Sequence, residues 1–363
     1  MGFKCGIVGL PNVGKSSLFN ALTRAAIAAE NYPFCTIEPN VGVVPVPDLR
    51  LKAIADIVEP KETIPTSMEF VDIAGLVAGA SKGEGLGNQF LANIRETHAI
   101  AHVVRCFDDE NVVHVDGRVD PLADIETIET ELALSDLETL GRAVDKAQKL
   151  SRTGDKQATT AYSLLCEVRD ALDQFIPVRT QSVDKATQEL LQPLNLLTAK
   201  PVLFIANVDD ANPDGNEHSA KVAVHAEKVG AEFVVISAQL ESELSQLEEA
   251  EAAELLQDLG LSEPGLDRVI RAGYGLLGLQ TYFTAGPKEC RAWTVRCGAT
   301  APNAAAVIHT DFEKGFIRAE VISYDDFISH GGEAGAKEAG RFRLEGKEYI
   351  VADGDVMHFR FNV

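Results

Sequence analysis

The strongest constraint on this 363-residue chain is a glycine-framed loop near its start, residues 9–16, which fits the pattern G-x-x-x-x-G-K-S. An apolar segment at 4–8 predicts a strand before the loop, and residues 15–24 predict a helix after it. In that setting backbone N–H groups curl around a phosphate, the lysine reaches the terminal phosphates and the serine hydroxyl binds Mg²⁺. The sequence therefore predicts a phosphate-binding loop whose nucleotide contacts come from Asn12, Val13, Gly14, Lys15, Ser16 and Ser17.

A second element of the same site follows about sixty residues later. Asp72 ends a predicted strand at 67–72, and Gly75 comes three residues after it. An aspartate there can hold Mg²⁺ through water, and the glycine N–H can meet the γ-phosphate. Thr36 lies in the intervening loop and can reach the ion when the γ-phosphate is present, although an ordinary loop hydroxyl is the alternative. We therefore expect Ser16, Thr36 and Asp72 to hold the metal.

The end of a later predicted strand bears on which nucleobase binds. Guanine-specific proteins of this class carry N-K-x-D there, whereas this chain has Asn207, then Val208 in place of the lysine, and a carboxylate at Asp210. An aliphatic Val208 can still pack on a purine, so the guanine code is altered and GTP stays open as a ligand. Ser237 and Ala238 end the next strand and are expected to form the last nucleotide-contacting loop.

The order of predicted elements indicates three parts. Strands alternate with helices in the first 125 residues, which is typical of an α/β fold with a mostly parallel sheet. Leucines at helical spacing then predict an inserted helical hairpin, in the manner of a coiled coil. After Gly278 the chain is strand-rich and predicts a small α+β module. The expected domains are residues 1–124 with 197–277, residues 125–196, and residues 278–363.

Two finer predictions concern the second half of the chain. Residues 241–258 predict one very acidic helix, and residues 304–312 predict a helix within the C-terminal module. The strands predicted in that module are residues 291–297, 315–321, 349–351 and 356–363.

Taken together, these motifs resemble the YchF family, an Obg-related group of P-loop NTPases. The resemblance rests on residues 9–17, 31–40 and the glycine-rich stretch 72–87, and it extends over nearly the whole chain. It implies a C-terminal TGS module of the β-grasp type, a preference for ATP over GTP, and contacts from Asn207 and Val208 to adenine. It also implies association with the ribosome, with the large subunit expected, and with RNA. The family usually has Glu where this chain has Asp210.

Hydrolysis is expected to be slow. Leu76 stands where Ras-like enzymes place a water-orienting glutamine, and leucine can neither donate nor accept a hydrogen bond. His114, in a polar loop after a sheet strand, is a candidate acid–base residue, and a loop histidine without a catalytic role is the alternative. The side chain of Asn12 can help hold K⁺ beside the phosphates. We therefore expect Mg²⁺, and K⁺ as a second ion.

The net charge of −22 is unevenly distributed. Residues 205–265 hold 14 acidic and 2 basic residues, which accounts for about half of it. Such a chain is no uniformly basic nucleic-acid binder, but local basic faces remain open. These are Arg142, Lys146, Lys149, Arg152 and Lys156 in the helical insertion, and Lys314, Arg318, Arg341, Arg343, Lys347 and Arg360 in the C-terminal module near Phe316, Phe342 and Phe359. For the first group the alternative is an ordinary solvated helix surface. For the second group the alternative is that the aromatic residues are core and the basic residues point outward to solvent.

The compartment follows from two absences. Six scattered cysteines form no C-x-x-C pair, and no apolar run is long enough to span a membrane. We expect a cytoplasmic protein. The leading functional hypothesis is a ribosome-linked NTPase switch, and the competing one is a nucleotide-dependent RNA- or ribosome-binding module in which hydrolysis is incidental.

Overall fold

The computed structural model describes residues 3–28, 40–73, 86–109, 118–153 and 155–362. Its strands are β1 (Lys4–Val8), β2 (Val41–Pro45), β3 (Glu62–Ile64), β4 (Ser67–Asp72), β5 (Ala99–Arg105), β6 (Val202–Asn207), β7 (Glu232–Ile236), β8 (Leu279–Ala285), β9 (Glu289–Arg296), β10 (Phe316–Ile322), β11 (Arg343–Glu345) and β12 (Val356–Phe361).

The helices follow in chain order, with short 3₁₀ turns at Val178–Thr180 and Gln192–Leu194. They are α1 (Lys15–Ala28), α2 (Leu49–Val58), α3 (Leu86–Arg95), α4 (Pro121–Ser151), α5 (Lys156–Asp173), α6 (Lys185–Leu191), α7 (Glu217–Val229), α8 (Ala238–Leu244), α9 (Glu249–Asp258), α10 (Gly265–Leu276), α11 (Ala301–Ile308), α12 (Thr310–Lys314), α13 (Tyr324–Ser329) and α14 (Glu333–Glu338). Within the described ranges no helix is both long and apolar enough to cross a membrane.

The first sheet has the strand order β2-β4-β1-β5-β6-β7 over the described residues. Strands β4, β1, β5, β6 and β7 pair in parallel, so their carboxyl ends meet at one edge. Strands β5 and β6 are buried at every position, as expected for central strands covered on both faces. This confirms the predicted α/β architecture and places the phosphate loop, Asp72, Arg105 and Asn207 at the same edge.

The predicted helical insertion is a hairpin of α4 and α5. Leu140, Val144, Leu165, Val168 and Leu172 form a core of its own between the two helices. The basic residues of the helical insertion are divided between its two helices: Arg142, Lys146 and Lys149 lie on α4, Arg152 is its C-cap, and Lys156 begins α5. All five are exposed.

The contacts divide the chain into two compact units. One contains residues 1–25, 37–42 and 69–273, and the other contains 26–36, 43–68 and 274–363. The segment 43–68 therefore packs with the C-terminal module, because Leu51 and Ile54 of α2 share a core with Phe283 and Phe327. The domain boundaries drawn from the sequence stay a prediction.

The C-terminal unit holds a mixed sheet, ordered β11-β10-β12-β8-β9-β3 among the described strands. Phe316 and Phe359 are buried in one of its cores. Arg318 and Arg360 are paired opposite each other on β10 and β12 and contact the carboxylate of Glu320. These two aromatic residues are therefore core and the two arginines point outward. Contact of the outward arginines with RNA stays a prediction.

Three predicted elements are wrong in detail. Residues 241–258 form two helices, because Ser245 caps α8 and a capping box between Glu248 and Glu251 starts α9. The predicted helix at 304–312 is likewise two, α11 and α12, separated by His309 in extended conformation. Residues 349–351 form no strand apart from a single bridge between Ile350 and Thr300, and β11 lies earlier.

Candidate functional site

The carboxyl edge of the first sheet opens into a cavity of about 700 Å³. It is lined by Asn12, Gly14, Lys15, Ser16, Ser17, Phe107, Asp108, Asp109, Asn207, Val208, Asp209, Asp210, Ala238 and Gln239. The cavity thus brings together the phosphate loop and the two loops at the ends of β6 and β7. Its size lies within the usual range for small-molecule sites.

The loop after β1 follows the sequence expectation closely. Asn12 adopts the left-handed conformation (φ 60°) and Gly14 has φ +97°, so the backbone turns tightly before Lys15 begins α1. A Cβ on residue 14 would lie 2.1 Å from Nδ2 of Asn207. Glycine is required at this position by both the backbone angle and the close approach.

Asn207 braces the site from its centre. Its Nδ2 donates to the carbonyl of Val13 at 2.9 Å, and its Oδ1 accepts from the backbone N–H of Ala238 at 2.9 Å. The side chain is 4% exposed. Both ends of the amide are used by the protein, so Asn207 ties the phosphate loop to the loop after β7. Contact between Asn207 and a base stays a prediction.

The neighbouring loop presents carboxylates. The hydroxyl of Ser237 donates to Oδ1 of Asp210 and also caps α8 through the N–H of Leu240 at 3.3 Å. Ser237 itself is buried, and its predicted contact with a nucleotide stays a prediction. Val208 is 3% exposed and contributes an apolar patch to the cavity wall.

Comparison with known proteins agrees with this geometry. Residues 4–137 match the family model described as 50S ribosome-binding GTPase, and residues 279–362 match the C-terminal model of YchF GTPases, described as a protein of unknown function. The ribosome-binding ATPase YchF of Haemophilus influenzae is 63% identical over 363 residues, with 100% of both chains covered. The chain belongs to the YchF family. The Bacillus subtilis YchF is 54% identical over the full length of both chains. The structure of the Schizosaccharomyces pombe YchF GTPase has a TM-score of 0.90 at 36% identity, covering 99% of this chain and 98% of that one.

Within this YchF-family site, Lys15 and Asp72 form an interacting pair beneath the phosphate loop. Asp72 is in register with Ile7, directly before the loop. Burial lowers the pKa of Lys15, and attraction to Asp72 opposes this effect. Burial likewise raises the pKa of Asp72, and Lys15 opposes it. A role for Lys15 at the terminal phosphates stays a prediction.

The oxygen donors at this position fit a divalent cation. Oδ1 of Asp72 is buried and finds no hydrogen-bond partner within the part of the chain that the structure describes. Ser16 lines the cavity and is exposed. Mg²⁺ prefers oxygen ligands, and a buried carboxylate oxygen without a partner is costly unless a ligand completes it.

Some predicted residues cannot be placed. Thr36, Gly75 and His114, together with Leu76, lie outside the described residues. Their roles stay predictions.

The structure also adds cavity residues that the sequence reasoning did not single out: Phe107, Asp108, Asp109, Asp209 and Gln239. The first three come shortly after β5, separated from it by Cys106, and the carboxyl end of β5 lies at the same edge as the phosphate loop. No motif marks them. Their position after a central parallel strand is the signal that could have found them, because ligands in such sheets bind beyond the carboxyl ends of strands.

Proposed function

We propose that this chain is a ribosome-associated P-loop NTPase switch that binds and slowly hydrolyses ATP. The observation that carries the proposal is that one cavity is lined both by Lys15 and Ser16 and by the loop from Asn207 to Asp210. One end of the cavity suits phosphates and the other suits a base, so a nucleoside triphosphate matches both. Relatives at 54–63% identity carry the name ribosome-binding ATPase.

The preference for ATP is supported by the base-side chemistry. Val208 supplies an apolar surface without the lysine of the guanine code. One oxygen of Asp210 already accepts the Ser237 hydroxyl, which favours a base offering a single donor, such as the adenine amino group, over guanine with two. The remaining carboxylate oxygen keeps GTP as a second ligand.

Mg²⁺ would be held by Ser16 and Asp72, with Thr36 as the third predicted ligand. The ion would neutralise charge on the β- and γ-phosphates. Ser16 would contribute its hydroxyl and Asp72 its unpartnered oxygen, while Lys15 would contact the terminal phosphates. The Gly75 N–H would meet the γ-phosphate.

Slow turnover follows from Leu76, which cannot orient water. His114 is the proposed acid–base residue. Asn12 lines the cavity and can help hold K⁺ beside the phosphates. Hydrolysis should therefore be faster in KCl than in NaCl at the same ionic strength, and equal rates would contradict a role for K⁺.

The partner is proposed to be the ribosome, through its large subunit, and RNA, with cytoplasmic localisation. The exposed basic residues on α4 and α5 and the outward Arg318 and Arg360 are the surfaces that would contact it. The second candidate function is a nucleotide-dependent RNA- or ribosome-binding module in which hydrolysis is incidental, and Leu76 is the feature that favours it.

Calorimetry with ATP and with GTP, each with Mg²⁺, tests the nucleotide proposal. We expect ATP to bind more tightly than GTP. A Ser237→Ala variant should narrow the difference, because both oxygens of Asp210 would then be available to guanine. GTP binding much more tightly than ATP in the wild type would overturn the proposal.

A further inference from the structure

Arg105, the last residue of β5, is buried although it carries a charge: it is 2% exposed. Its Nε donates to the carbonyl of Phe107 at 3.1 Å, and its Nη2 donates to the carbonyl of Asp109 at 3.3 Å. The guanidinium carbon lies 4.6 Å from the centre of the Phe107 ring. Burying a charge is unfavourable unless its donors are satisfied, and here backbone carbonyls of the following loop accept from the guanidinium.

The backbone that Arg105 holds is a wall of the nucleotide cavity. Phe107, Asp108 and Asp109 all line that cavity, whereas Arg105 does not. Arg105 is also paired in register with Asn207, which braces the phosphate loop. The ends of two adjacent strands thus organise opposite parts of one site, β6 through an amide and β5 through a guanidinium.

We propose that Arg105 is a positioning residue for nucleotide binding. It folds residues 107–109 around its guanidinium and holds the Phe107 ring as a fixed surface against the bound nucleotide. The inference rests on the proposed nucleotide-binding function. A lysine cannot replace it, because a compact ammonium has no planar fork that donates to two carbonyls while stacking on a ring.

The first test compares Arg105→Lys with the wild type by calorimetry with MgATP and by steady-state hydrolysis. We expect the Kd and KM for ATP to rise about tenfold, equivalent to about 1.4 kcal/mol. The kcat should stay within about twofold, because the wall binds ground and transition states alike. A lower kcat with unchanged Kd and KM would overturn the proposal.

A double-mutant cycle tests whether Arg105 acts through Phe107. If it does, Arg105→Lys combined with Phe107→Leu should weaken ATP binding no more than the stronger single substitution. Independent effects that multiply would show that Arg105 does not position the ring. Arg105→Met, which fills similar space without donors, provides a second variant if the lysine variant does not fold, and it should raise Kd at least as much.

The matched control is Arg291→Lys. Arg291 stacks on an aromatic ring two residues further on, Trp293, at 4.1 Å, but it lies outside the cavity lining. The Arg291→Lys variant should bind ATP with the same Kd as the wild type. A wild-type protein that binds no nucleotide would defeat the proposed function and this inference together, whereas wild-type binding that Arg105→Lys leaves unchanged would defeat only the inference.

Discussion

At the scale of single residues, Asn207 has a structural role that explains why the asparagine of the N-K-x-D pattern is present although Val208 replaces the lysine. Its amide joins Val13 and Ala238, so its role in the protein does not depend on the base that binds. The aliphatic side chain of Val208 cannot form such hydrogen bonds, and it lines the cavity. A substitution at Asn207 is therefore expected to affect both folding and binding.

We expect Asn207→Ala to lower the free energy of unfolding by about 2–3 kcal/mol, because two buried backbone partners lose their hydrogen bonds. ATP binding should weaken in the same variant. Asn212→Ala is the control: the exposed side chain of Asn212 donates to Oδ1 of Asp209 at 2.9 Å, and its loss should change stability by less than about 0.5 kcal/mol. Urea denaturation measures both, and equal losses in the two variants would contradict the bracing role.

His102 gives a residue-scale prediction about pH. Burial lowers the pKa of its imidazole to about 3, and the nearby Arg179 and His225 add to the effect. In the unfolded chain the imidazole binds a proton near pH 6.5, whereas in the folded chain it stays neutral at that pH. The free energy of unfolding therefore falls as the pH drops from 6.5 toward 3.

Between pH 6.5 and 5.5 His102 should reduce the free energy of unfolding by about 1 kcal/mol. In His102→Leu this part of the pH dependence should vanish, whereas the exposed His330→Gln should keep it. Denaturation curves at the two pH values provide the measurement. Identical pH slopes in wild type and His102→Leu would show that His102 is not the group responsible.

At the scale of elements, helices and strands with a local sequence signal could be predicted, whereas groupings that depend on distant contacts could not. The strand–loop–helix from β1 to α1 follows from an apolar run and a motif. The grouping of α2 and β3 with the C-terminal module does not, because it depends on β3 pairing with residues 289–291, more than 200 positions away. Residues 349–351 have a local apolar pattern that predicts a strand, but they lie in irregular chain. Val351 is buried there, and the carboxylate of Asp355 stabilises this segment.

The residues of the candidate site also differ in whether a local sequence motif marks them. The phosphate loop and the Asn207–Asp210 loop could be predicted because phosphates and bases demand particular residue types at fixed spacing. No motif marks Phe107 to Asp109, and the only signal for them is their position after the central strand β5. Their arrangement around the Arg105 side chain depends on contacts that no spacing rule encodes.

The base of the helical insertion provides an element-scale prediction. Asp136, fully buried on α4, accepts hydrogen bonds from the N–H groups of Leu197 and Thr198 at 2.9 and 2.7 Å, and from the Thr198 hydroxyl at 2.7 Å. Asp136→Asn should lower the free energy of unfolding by about 3 kcal/mol, since an amide cannot accept all three bonds. Asp145→Asn, exposed on the same helix, should have little effect. Similar denaturation midpoints for the two variants would contradict this role of Asp136.

At the scale of the whole molecule, each unit has its own core, and the C-terminal unit includes α2. Deleting residues 278–363 would expose the buried Leu51 and Ile54, so a truncation would confuse loss of partner binding with loss of folding. Charge substitutions at outward positions such as Arg142 and Lys146 are the better means of testing partner surfaces. The YchF relative from Haemophilus influenzae matches the chain over its full length, so it covers both units.

We expect nucleotide hydrolysis by this protein to be linked to the ribosome. Single-turnover hydrolysis of ATP, measured with and without purified ribosomes at the same Mg²⁺ and K⁺, tests it directly. A switch enzyme with Leu76 at the position of the water-orienting glutamine should be accelerated at least about tenfold by its partner. A rate that ribosomes leave unchanged would contradict the account and favour a binding module in which hydrolysis is incidental.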